Sequence, residues 1–178
     1  MAFAVTQRMR TLRWPGVFAV CFLGLFAYSA AVYGLLRMLG MQQVFGALYR
    51  MFMYHEAHGL QYIALFCAVH ALMVTAALRC APKAALARPW LLSVATLLAS
   101  SALASVLGGV LWKIHDMHHG YFPPAPRLWH DLWWGAETGL YLGWQVLAMS
   151  QPFGLICLPF FLLVTVKGAR SMQRPPGG

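Results

Sequence analysis

His115, Asp116, Met117, His118 and His119 form the densest group of metal-capable side chains in the chain. If a helix runs on through them, positions 115, 118 and 119 share a face, because residues three and four apart are neighbours on a helical surface. Three imidazole nitrogens with a carboxylate alongside suit zinc, iron or copper. Solvated loops also carry such histidine clusters. His55, Glu56 and His58 form a second group, whose histidines would face the same way on a helix, with Glu56 as a ligand or as the partner that fixes an imidazole tautomer. His130, Asp131 and Glu137 form a third, with His130 and Glu137 stacked about two turns apart on one face. Glu137 stands among apolar residues, where an unpaired carboxylate is expensive and a metal, a protonated histidine or Arg127 would relieve the cost.

His70 lies about 18 Å deeper than His58 along one helix and reads as a hydrogen-bonded structural histidine. Met38, Met41, Met51, Met53 and Met117 fall near the histidines; with imidazole, thioethers suit copper(I), although methionine is also an ordinary apolar filler. Cys21, Cys67 and Cys157 lie in apolar segments and Cys80 in a basic loop. No CxxC pair exists, so the cysteines read as small hydrophobes rather than a disulfide framework.

The run from His115 to His119 resembles the HxxHH box of the membrane fatty acid hydroxylase and desaturase superfamily, over five residues. In that superfamily several such boxes hold a pair of irons that activate oxygen to hydroxylate or desaturate lipid chains. The resemblance implies that His115, His118 and His119 are iron ligands and that His55 to His58 stands in for a degenerate second box.

These groups must be positioned by helices in a bilayer. The chain has 178 residues, 61% of them hydrophobic and 10% charged, which fits a single transmembrane domain over 1–178 and no soluble fold. The net charge of +9 is spread in short groups between apolar segments, so it encodes topology, not nucleic acid binding. We expect an all-α four-helix transmembrane bundle with helices over about 16–36, 59–78, 90–112 and 131–166. The first segment is long enough to span and reads as a retained helix rather than a signal peptide. The run from Phe122 to Pro126 breaks the chain after the third helix. Residues 131–166 form either one Pro-interrupted helix or two joined at 150–154.

Charge decides between these. One crossing puts nine of the 13 basic residues inside, with only Arg37, Arg50, Lys113 and Arg127 outside, and leaves both termini cytoplasmic. Trp14 and Trp90 then mark the inner interface, and Trp112, Trp129, Trp133 and Trp134 the outer one. Residues 39–54 are expected to lie along the outer interface. All four carboxylates and six of the seven histidines collect on that side. Gly108 and Gly109 permit close helix packing but are not a GxxxG motif.

The sequence thus leads to a bacterial inner-membrane metalloprotein with its site facing the periplasm. His55, His58, His115, His118, His119, His130, Glu56 and Asp116 would hold one or two transition metals, iron or copper first and zinc next. Asp131 and Glu137 would serve catalytically in redox chemistry on a lipid-soluble substrate or quinone. Two alternatives stay open: a copper- or zinc-handling protein that passes metal to a partner, and a haem- or quinone-associated subunit among partner membrane subunits.

Overall fold

The computed structural model describes residues 2–40, 59–80, 88–121, 127–149 and 159–168, and the described residues are helical throughout apart from short turns. The helices are α1 (Ala2–Met38), α2 (Gly59–Cys80), α3 (Pro89–His118), α4 (Leu128–Met149) and α5 (Pro159–Gly168). Three contain segments long and apolar enough to cross a membrane: Trp14–Leu35, Leu60–Cys80 and Pro89–His118.

The side-chain distribution suits lipid rather than water. On α3 the buried residues are Ser93, Thr96, Ser100, Ala104, Gly108, Gly109, Lys113 and Asp116, while Leu91, Leu98, Leu103, Leu107, Leu111 and Ile114 are exposed. In water the leucines would be driven inward. Lipid removes that drive, so close backbone approach decides which face packs, and small residues win the interface.

The most extensive contact joins α3 and α4. Gly135 and Gly139, one turn apart on α4, lie on Gly109 and Ser105 of α3, and Gly143 is buried in the same register. A Cβ on Gly109 would collide with the Gly135 carbonyl oxygen and come within 2.8 Å of Gly139 Cα. The motif that closes this seam is therefore Gly135-x-x-x-Gly139 on the fourth helix, which sequence reasoning passed over in favour of Gly108 and Gly109.

α1 and α2 meet through Val17, Cys21, Ala71, Val74 and Leu78, and farther along through Leu25, Ile63 and Cys67. The α1 positions in this list recur every fourth residue, which is one helical stripe. α5 joins the same core: Phe161 packs with Leu25 and Ile63, Phe160 stacks on Tyr28 with centroids 4.4 Å apart, and Gly168 lies against Leu78 and Val17. It therefore runs antiparallel to α1 and in the direction of α2.

Several expected boundaries shift. α1 begins far before residue 16, and α3 continues past 112 to His118, carrying Lys113 out of the expected loop and into the helix. Cys80, expected in a loop, is the last residue of α2. Of the expected helix over 131–166, the described residues show α4 and α5; residues 150–158 between them lie outside the described residues, as does the expected interfacial stretch from 41 onward.

Candidate functional site

Gly120 determines where α3 stops. It adopts φ +71, a left-handed conformation that glycine enters without the Cβ penalty. Its N–H then donates to the Met117 carbonyl and that of Tyr121 to the Asp116 carbonyl, the paired bonds that close a helix around a C-terminal glycine. This ending holds the histidines in place. His119 donates its backbone N–H to the His115 carbonyl at 3.0 Å, and its Nδ1 lies 2.9 Å from the same oxygen. A carbonyl oxygen only accepts, so Nδ1 carries the hydrogen and Nε2 the lone pair.

The three imidazoles are neighbours. His115 and His119 stack with centroids 3.9 Å apart and planes 23° apart, and His118 meets His119 edge-on at 5.4 Å. Tyr121 lies beyond, 6.2 Å from the His119 ring. Imidazole lone pairs lie in the ring plane, so the near-parallel rings of His115 and His119 direct theirs side by side rather than to one point. Among the described residues, no three His, Cys, Asp or Glu side chains are arranged to hold a metal ion. His118 and His119 are exposed and His115 half-buried. They stand at the C-terminus of a 30-residue helix, where the aligned peptide dipoles concentrate negative potential and favour a cation.

Asp116 separates from the imidazoles. It is 6% exposed and acts electrostatically on Tyr62 of α2 and on Lys113. Lys113 is 4% exposed, with its ammonium 4.1 Å from the Trp134 ring centroid and 5.0 Å from that of Trp112. Asp131 also acts on Lys113, and it lies 3.7 Å from His130 Nδ1. Glu137 is exposed on α4, away from the face that carries Gly135 and Gly139. His55, Glu56 and His58 lie outside the described residues.

The structure thus brings together two groups at one end of α3: an exposed imidazole trio, and a buried Lys113 flanked by Trp112 and Trp134 and acted on by Asp116 and Asp131. Sequence reasoning missed the second. Its signal was the spacing of Lys113 from Gly109, which continues the packed seam one turn beyond the glycine.

His70 is fully buried, as a structural histidine should be. Its Nδ1 lies 3.0 Å from Ser100 Oγ, and the Ser100 hydroxyl donates onward to the Thr96 carbonyl. Ser100 Oγ therefore accepts from Nδ1–H. The ring packs on Phe161 at 4.6 Å, and Nε2 has no hydrogen-bond partner among the described residues.

No protein-family model, no curated protein and no solved structure matches the chain.

Proposed function

We propose that the chain is a multi-pass membrane protein that binds a transition metal at the His115 end of its bundle. The observation that carries this reading is the anchoring of His119: its Nδ1–H is tied to the His115 carbonyl, which leaves Nε2 as the donor nitrogen at a helix C-terminus. His115, His118 and His119 are the proposed ligands, with the thioether of Met117 in the same turn. His118 is exposed, so modest rotation of its side chain can bring its lone pair to an ion held at His119 Nε2. His58 directly precedes Gly59, and α2 begins next to the region where Asp116 acts on Tyr62, which supports a contribution from His55, Glu56 and His58.

A bound ion would supply Lewis acidity or a redox couple. The chain's residues hold the imidazole tautomer through the His115 carbonyl, while His130 and Asp131 offer an acid–base pair at the start of α4. Exposure of the imidazoles favours exchange, hence a protein that receives copper or zinc and hands it on. The second reading is hydroxylase- or desaturase-like redox chemistry on a lipid-soluble substrate. It is favoured by the position of the trio at the end of a span beside Trp112 and Trp134, where an apolar molecule can enter from the bilayer.

The proposed topology is a four-helix bundle in which α4 and α5 together make the fourth crossing. Support comes from the direction of α5, parallel to α2, and from Arg79, Arg88 and Lys167 near helix ends opposite to the histidines. With both termini cytoplasmic, the histidines face the periplasm of a bacterial inner membrane.

The test is elemental analysis with an optical spectrum on the purified, detergent-solubilised protein. Near-stoichiometric iron or copper without a Soret band supports the reading, and turnover of a lipid-soluble substrate separates catalysis from handling. A Soret band would point to a haem subunit. Absence of both metal and haem overturns the metal site.

A further inference from the structure

One face of α4 is packed and the other is open. Gly135 and Gly139 are buried on α3, whereas Trp133, Glu137, Leu140, Tyr141 and Trp144 are exposed. These five positions follow helical spacing and form one stripe, opposite the glycines.

Glu137 makes this stripe more than a lipid-facing surface. Its depth follows from the seam, because its neighbour Gly139 lies on Ser105 and Gly109, midway along the span Pro89–His118. Glu137 is also about 6 Å farther in than Trp133, with Leu140, Tyr141 and Trp144 farther in still. An outward carboxylate at that depth is costly in hydrocarbon unless paired. No described residue forms a hydrogen bond or ion pair with it.

Among the described residues, none offers a cation there. The Lys113 ammonium is engaged with the Trp134 and Trp112 rings, and Arg127 precedes the helix, ten residues from Glu137. A second copy related by a two-fold axis along the membrane normal would bring Glu137 against its own equivalent, like charge to like charge. Charge complementarity therefore selects a different occupant.

We propose that this face of α4 docks a transmembrane helix of another protein, one that carries a lysine or arginine within the bilayer at the depth of Glu137. The carboxylate pairs with the cation, and the rings of Trp133, Tyr141 and Trp144 pack along the partner helix and offer faces to its charged group. The proposal is independent of metal binding at the other face of this end.

The test uses the full chain in phosphatidylcholine vesicles, labelled with a fluorescent donor, and three acceptor-labelled synthetic transmembrane peptides. They are Leu-rich and differ at one position, set at the depth of Glu137, that carries Arg, Leu or Glu. The Arg peptide is expected to bind about tenfold more tightly than the Leu peptide. E137Q abolishes that preference, and E137R transfers it to the Glu peptide. Equal binding of the Arg and Leu peptides, a preference that survives E137Q, or Glu137-dependent association of the chain with itself in place of the peptide each overturns the proposal. Because Glu137 is exposed, both variants are expected to fold, which the unchanged circular dichroism of each would verify.

Discussion

The ammonium of Lys113 on α3 lies 4.1 Å from the centre of the Trp134 ring on α4, directly above the glycine seam that joins the two helices. Gly135 makes this possible, since a Cβ there would sit 2.6 Å from Lys113 Cγ and displace the lysine stem. A buried cation is thus carried over a bare stretch of backbone into contact with an indole face. Replacing Lys113 with Met and Trp134 with Leu, singly and together, should reveal a coupling of about 1–2 kcal/mol in detergent unfolding. Strict additivity would mean that the ring merely fills space.

Close backbone approach predicts a contrast between glycines. Gly109→Ala places a methyl group on the Gly135 carbonyl and should destabilise by about 1–3 kcal/mol as α3 and α4 separate. Gly24→Ala, with nothing within 4 Å, should be neutral or stabilising by up to about 1 kcal/mol through helix propensity. Chemical unfolding of the two variants side by side measures the difference; equal behaviour would refute the seam.

Ser100→Ala removes the acceptor for His70 Nδ1–H while leaving the ring among Phe66 and Phe161. The orphaned buried donor should cost about 1–3 kcal/mol, with bound metal unchanged. His70→Ala should cost more, because a cavity is added, and should also leave metal content intact. Loss of metal in either variant would assign His70 to the metal site rather than to structure.

At the other end the signs reverse. Under the proposed metal reading, His118→Ala or His119→Ala should remove most bound metal with little effect on unfolding, since both side chains are exposed. Gly120→Ala keeps every donor but forces a Cβ into a left-handed turn, costing about 1–2 kcal/mol locally and loosening the His119 anchor. Metal affinity, measured by competition with a chelator of known strength, should fall without abolition. Equal metal content in His118→Ala, His119→Ala and His70→Ala would sink the histidine assignment.

Much of the helical framework was legible because it depends on composition over windows of about 20 residues. The second helix, expected over 59–78, runs Gly59–Cys80. The third crossing was expected over 90–112; the helix runs on past Lys113, whose ammonium lies near the Trp112 and Trp134 rings, until Gly120 can turn it. That extension is what places His115, His118 and His119 on one helical end, the condition under which the sequence expected them to converge.

What the sequence determined by itself was a set of apolar windows long enough to cross a bilayer and the inventory of candidate donors, since a histidine-rich turn beside a charged residue is legible in the chain alone. Only the tertiary structure decided how the donors divide. Asp116 and His115 are adjacent in the chain, but helical geometry sends the carboxylate inward toward Tyr62 and Lys113 and leaves the imidazoles at the surface. Likewise Gly135 and Gly139 become a seam, and Glu137 two residues away becomes an open charge, only when α3 covers one side of α4. Periodicity shows which residues share a face, but the partner helix decides which face is buried.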